Sequence, residues 1–371
     1  MVFDLSRYPN SSLRLSGLAA GGDPLWSVVI ADTGSGSFAS DALLAADAAG
    51  DVAVAFRQRD QTSAAGLGSP AQSVVVVFDR AGTELWRSTV ADLDPDSMAS
   101  LAIAGRDRVY LGVDRVRADP TSAATDAPAA VVALGDGGTA RWRTNLDDST
   151  RRARAPDVAL DGTGQVYVAT AGRLDGVALR RLADDGTVAW VVDVPMADDR
   201  AGDQAGDPLL AFDGNADQLY VSQTWRASIL FGTPTPGAGD GERSTMKVTV
   251  AAIGTAGDER WHYADSGMDR SIEALVALPG GGVMVAGSVV PTLAGRYPVG
   301  RPEAIFDRLD AAGRLVQRDR YARPDGAQPS DLAAVPDGSV VAVGSSATGD
   351  PSWSTGLTSP ARWRVQISGP P

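Results

Sequence analysis

Two kinds of hairpin alternate along the 371 residues, a glycine recurs four positions ahead of a tryptophan, and the repeat length suits one four-stranded sheet per copy. Together these predict an all-β fold: a single β-propeller domain over residues 1–371. Six four-stranded blades are expected, with seven as the alternative count.

The glycine–tryptophan pair stands at Gly22/Trp26, Gly82/Trp86, Gly138/Trp142, Gly186/Trp190 and Gly257/Trp261. A sixth copy, LDAAGRLVQ, keeps Gly313 and puts Gln317 in the tryptophan position. Successive glycines lie 60, 56, 48, 71 and 56 residues apart. A β-rich run precedes each of the last five copies (VVVVFD, AVVALG, VALRRL, VTVAAI, AIFDRL), and in four of these the tryptophan opens another strand. The pattern reads as a hairpin whose glycine supplies the positive φ of a tight turn.

Between these hairpins lies a second kind, at 43–56, 101–113, 158–170, 209–222, 274–287 and 332–344. Its first strand is small and apolar almost throughout, which predicts a strand covered on both faces. We call its strands A and B, and those of the glycine–tryptophan hairpin C and D. An unmatched C-D pair begins the chain and an unmatched A-B pair ends it. The last blade is therefore expected to be shared between residues 13–31 and 332–367, closing the ring by satisfying both free edges. Leu13–Leu18 and Arg362–Ile367 both have the character of strand C, which is what keeps seven blades open.

The formal net charge of −13 opposes a phosphate backbone, so no nucleic-acid partner is expected. Arg151, Arg152 and Arg154 are read as a solvated loop beside Asp147 and Asp148. No apolar run is long enough to predict a membrane span. With no cysteine, the chain offers no disulfide, thiolate site or thiol nucleophile. The start, MVFDLSRYPNSSLRL, shows no signal-peptide pattern.

The C-D segments, such as FDRAGTELW, resemble the tryptophan-docking motif of quinoprotein-type (PQQ-like) propellers, without the threonine usual before the glycine. AIFDRLDAAGRLVQRDRY with DLAAVPDGSVVAVGS resembles the delta-60 repeat, and ILFGTPTPGAGDGERSTMKVTVAAIGTAGDERW the SBBP-type repeat of bacterial surface proteins. These resemblances imply a bacterial extracytoplasmic module: secreted, periplasmic or on the cell surface. The tryptophans, on this reading, pack each blade against its neighbour.

The A-B and C-D turns are tight, whereas the other connections are long: 57–72, 92–100, 113–128, 146–157, 194–207, 222–245, 287–302 and 344–360. Long loops on a rigid scaffold predict a binding face. Trp225, Tyr297 and Trp353 fall on those loops outside the repeat register, where they could stack on a sugar or anchor a protein. Asp41, Asp157, Asp207, Glu273 and Asp331 stand near the start of five A strands. Asp92, Asp94 and Asp96 have calcium-loop spacing but lack the glycine and terminal glutamate of such a loop, making a weak calcium candidate and leaving no metal site expected.

Catalytic candidates are few. His262 is the only histidine and follows Trp261 directly, without a nucleophile motif nearby. No catalytic residue and no cofactor are assigned, and the missing vicinal cysteines argue against quinoprotein dehydrogenase activity. The leading expectation is a non-catalytic binding or scaffold propeller, meeting a protein partner or a glycan at its long-loop face. The alternative is a carbohydrate-binding or carbohydrate-active propeller using carboxylates and loop aromatics.

Overall fold

A computed structural model describes residues 2–7, 12–19, 23–31, 37–60, 71–91, 93, 97–114, 128–147, 153–171, 176–196, 204–226, 246–265, 270–289, 292–293, 297–298, 301–335, 337–346 and 361–367. The chain is all-β with the architecture of a six-bladed β-propeller. It divides into two compact units, residues 1–170 with 180–190 and residues 171–179 with 191–371.

In the first unit β1 (Val2–Arg7), β2 (Leu13–Leu18) and β3 (Pro24–Ala31) form a three-stranded antiparallel sheet. Two four-stranded sheets follow: β4 (Ser37–Ala46), β5 (Val52–Asp60), β6 (Gln72–Phe78) and β7 (Glu84–Val90), then β8 (Met98–Ile103), β9 (Val109–Val113), β10 (Ala130–Leu134) and β11 (Ala140–Asn145). The sheet of β12 (Arg154–Leu160), β13 (Val166–Ala171), β14 (Val177–Leu182) and β15 (Val188–Val194) contains the residues where the chain passes between units.

The second unit continues with β16 (Gln204–Ala205), β17 (Leu209–Asp213), β18 (Gln218–Arg226), β19 (Met246–Gly254) and β20 (Glu259–Asp265), where β16 and β17 share one side of β18. Then come β21 (Ala274–Ala277), β22 (Val283–Val289), a short hairpin of β23 (Thr292–Leu293) and β24 (Tyr297–Pro298), β25 (Glu303–Leu309) and β26 (Leu315–Tyr321). β27 (Gln328–Ala334), β28 (Val340–Ser346) and β29 (Ala361–Ile367) form a last sheet of three strands.

Apolar residues gather in separate clusters between consecutive sheets. Leu15, Phe56 and Phe78 belong to one, Val75, Trp86 and Leu111 to the next, and Tyr110, Val168 and Leu182 to a third. Tyr220, Val285 and Leu309 mark a fourth, and Phe306, Leu278 and Ile367 a fifth. A repeat architecture buries its apolar area this way, at junctions instead of in one centre.

The repeated glycine and tryptophan meet across those junctions, each tryptophan on the following copy. Trp26 donates its indole N–H to Arg80 O at 2.9 Å, Trp142 to Asp184 O at 2.8 Å and Trp261 to Ala311 O at 3.0 Å. Each acceptor lies just ahead of the next turn glycine, and the indole covers that glycine. A Cβ on Gly82, Gly186 or Gly313 would lie 2.7, 2.6 or 2.6 Å from the ring. Trp86 bonds instead to Arg106 O, at 2.8 Å, while the buried Nε1 of Trp190 has no acceptor among the described residues. Trp86 is buried and the other four are half-buried, because a D strand is an outer edge that leaves part of the ring open.

One expectation is corrected. The strands covered on both faces are B and C: β5 from Val52 to Phe56, with β9, β13 and β10, is buried at every position, whereas β17, β21 and β27 of type A are half-open. The A strand is a sheet edge, and its small side chains suit a crowded margin. At the two ends of the chain β1 pairs with β2 and β28 pairs with β29.

Candidate functional site

In the second unit the A strands lie side by side, β17 against β21 and β21 against β27. Their entry points carry Asp207, Glu273 and Asp331, all exposed, so the repeat delivers three carboxylates in a row. In the first unit β4 packs on β8 and β8 on β12, which carries the half-buried Asp157. Asp41 is in β4, and its side chain lies outside the described residues.

The strand entries share a backbone device. The A-B ladder slips register between Ser40 and Leu43 at Asp41, between Met98 and Ser100, and between Pro329 and Asp331. Such bulges re-aim a side chain where a strand begins.

Asp331 differs from its neighbours in electrostatic setting. Its Oδ1 accepts the Leu332 amide at 2.8 Å, and among the described residues it has no other partner. Loss of hydration raises its carboxyl above the ordinary carboxylate range, an effect only partly offset by the Leu332 amide. The side chain is nevertheless open to solvent.

Glu273 Oε1 accepts the Ser271 hydroxyl at 2.5 Å, and Ser271 Oγ is 3.0 Å from Ser288 Oγ. Ahead of Asp207, Gly206 donates to Thr224 O at 2.7 Å and its carbonyl accepts Gln223 Nε2 at 2.9 Å. Thr224 Oγ1 accepts the Ile272 amide at 2.8 Å, tying the β17 entry to the β21 entry. Gln223 is fully buried, and its Oε1 has no hydrogen-bond donor among the described residues.

β20, β25 and β26, with Arg270 ahead of β21, form a buried ionic box that the sequence reading missed, because its members are scattered over 53 residues from Asp265 to Arg318. Arg270 pairs with Asp307 and lies 3.2 Å from Asp265. Arg318 reaches Asp265 at 2.6 Å and Asp307 at 2.7 Å. Burial, with Asp265 and Asp307 nearby, raises the Tyr263 hydroxyl above its usual range, so it keeps its proton. Also unforeseen are three strand-B tyrosines: Tyr110 stacks on Trp142, Tyr167 on Trp190 and Tyr220 on Trp261. The Val-Tyr or Leu-Tyr that follows three of the six A-B turns was the available signal.

Trp225 is not on a loop as expected. β18 extends to Arg226, where Trp225 pairs with Ala205 and Lys247, because the facing β19 is equally long. Tyr297 lies in β24 opposite Leu293. Trp353, Asp92, Asp94 and Asp96 lie outside the described residues. Among the described residues no group of acidic and histidine side chains could hold a metal ion, and no helix is long and apolar enough to cross a membrane. His262 is exposed, on the side of β20 opposite Trp261, with Nδ1 3.9 Å from Glu259.

No family model matches the chain, and no curated protein does, so the resemblance to delta-60, SBBP-type and PQQ-like repeats stands on its motifs alone. Solved structures do share the fold. An ulvan lyase of polysaccharide lyase family 25, bound to GlcA(1-4)Rha3S, is 10% identical with a TM-score of 0.53, over 85% of this chain and 78% of that one. An α-L-arabinofuranosidase from Fusarium graminearum is 14% identical with a TM-score of 0.52, over 88% and 93%. Prolyl oligopeptidase B from Galerina marginata is 12% identical with a TM-score of 0.50, over 90% of this chain and 43% of that one. These neighbours are enzymes, two of them acting on carbohydrate, which overturns the leading expectation of a non-catalytic binding or scaffold propeller.

Proposed function

We propose that this chain is a carbohydrate-binding or carbohydrate-active β-propeller whose site is the row Asp207, Glu273 and Asp331. The observation carrying it is Asp331 at the entry of β27: an exposed carboxyl, raised by loss of hydration and without a cation partner among the described residues. Carboxyl groups in unlike surroundings are the arrangement that acid–base chemistry on a glycoside uses. The lyase and arabinofuranosidase of similar fold support the same substrate class. The repeat resemblance fits an extracytoplasmic setting, where polysaccharides are met, and the A-strand entries follow the long D-A connections, on the long-loop face.

Retention of the purified chain on immobilised polysaccharides tests the reading. Wild type should be retained by at least one polysaccharide, and Asp331→Asn with Glu273→Gln should weaken that retention or any turnover. A chain that neither binds nor cleaves any member of a broad polysaccharide panel would overturn it.

A further inference from the structure

The last strand of a sheet offers unpaired peptide groups to any second strand, and proteins guard such an edge with charge, proline or cover. In this chain the repeat fixes one guarded position. The residue after the tryptophan, or after Gln317 in the sixth copy, is Ser27, Arg87, Arg143, Val191, His262 or Arg318. Five of these are polar or charged, and Val191 is the exception.

Val191 stands in the middle of an exposed edge. β15 ends its sheet, and among the described strands it pairs with β14 alone. Val188 and Val191 are 43% and 51% exposed. Asp193 is the only charged residue of the strand. One other outer strand, β3, also lacks charge, but it is blunted at both ends. It starts at Pro24, which has no N–H to offer, and Arg87 Nη2 donates to Ile30 O at 3.0 Å. β15 contains no proline, and its outward valines stand open.

The pattern of the edge says what fits it. A two-fold axis through Val191 pairs β15 with the same strand of a second copy in the antiparallel sense. Val191 then meets Val191, Trp190 meets Val192, Val188 meets Val194 and Asp193 meets Ala189. No like charges stand opposite each other. The same operation fails on the other outer strands. It sets Arg87 on Arg87 in β7, Arg143 on Arg143 in β11, Glu259 on Asp265 in β20 and Arg318 on Arg318 in β26. At a net charge of −13 two copies repel each other, so an uncharged strand is where contact costs least. A charged partner would find little on β15 to select it, whereas the strand is complementary to itself.

We infer that β15 is a homodimer edge, through which two copies join their four-stranded sheets into one continuous antiparallel sheet. The inference is independent of the carbohydrate reading. The two-fold axis uses both edges, so assembly stops at two copies. Seven residues make a short seam beside the roughly 20–30 a side of a standard interface, so the dimer is weak and forms above about 10 µM.

Sedimentation velocity of the full chain between about 1 and 500 µM tests this. The weight-average mass should climb toward twice that of one chain and level off. Added salt should strengthen the association, because it screens the repulsion between two acidic chains. Val191→Lys sets like charges on the axis and should weaken the association about tenfold or more. Val188→Lys, at the end of the strand, should weaken it as well and carries the test if the first variant loses its β-sheet circular dichroism. Val316→Lys, at a 53% exposed valine of β26, should leave it unchanged. A chain that stays monomeric, or a mass that rises past two copies, would overturn the inference. So would an association weakened by salt, untouched by the β15 lysines or lost equally in Val316→Lys.

Discussion

Asp331 sets a trade between stability and chemistry. Its folded carboxyl is raised above the ordinary aspartate value of 3.8, so the folded state holds that proton more tightly than the unfolded one. Stability from this residue is therefore gained as pH falls through the raised value, and the ionised form is a cost at neutral pH. Asp331→Asn should raise the unfolding temperature near neutrality, and the advantage over wild type should vanish below about pH 4. Thermal melts across pH read this directly; a variant less stable than wild type near neutrality would contradict the dehydration argument. His262 makes the opposite case, since it is exposed beside Glu259 and has no part in the row. His262→Gln should shift stability by less than about 0.5 kcal/mol and leave any glycan turnover within a few-fold. The acids at the A-strand entries were readable from their recurrence after each D strand. The dehydration of Asp331 alone was not, because it depends on which atoms surround it.

At the level of the hairpin, two devices recur and each has its own test. The first is the tryptophan seat. Gly186 has φ +85° and lies under Trp142, Gly338 has φ +83° with open space at its Cβ position, and Gly162 has open space without a positive φ. Replacement by alanine should cost about 2–4 kcal/mol at Gly186, about 1 at Gly338 and under about 0.5 at Gly162. Equal losses would show that the indole contact contributes nothing. Trp86→Ala, which empties a buried seat, should cost about 3–5 kcal/mol by urea denaturation. The second device is the aspartate of the turn. The Thr83 amide on Asp79, the Thr187 hydroxyl on Asp185, the Arg314 amide on Asp310 and the Ser339 hydroxyl on Asp337 hold these carboxyls below 3.8. Each contributes stability that is complete above that value and lost as pH falls through the lower folded one. Urea midpoints of wild type and an Asp79→Asn, Asp310→Asn double variant should differ near neutrality and converge by about pH 2. The hairpins were legible because glycine spacing and strand alternation are local. The exchange of covered strands, B and C instead of A, was not, because burial depends on neighbouring sheets. Trp225 was misplaced for a related reason: β18 runs on only because β19 runs beside it.

For the whole chain, the fold was carried by repetition, which even a 10% identical lyase shares, whereas function depends on a few side chains that repetition dilutes. The missing cysteines and single histidine narrowed the chemistry by subtraction, yet left binding and catalysis undivided. Residues 1–371 as one propeller domain predict a single cooperative unfolding transition, with near- and far-ultraviolet circular dichroism coinciding. Two separated transitions would mean that the two units fold independently. The seating of each indole on the following copy's glycine also bears on how such a chain can lengthen. Trp142 and Gly186 form one joint although they belong to different repeats, as do Trp261 and Gly313. A gene segment cut at equivalent points thus carries half a joint at each end. Tandem duplication of that segment restores every joint without a compensating substitution, so growth by whole copies meets less resistance than the insertion or loss of part of one.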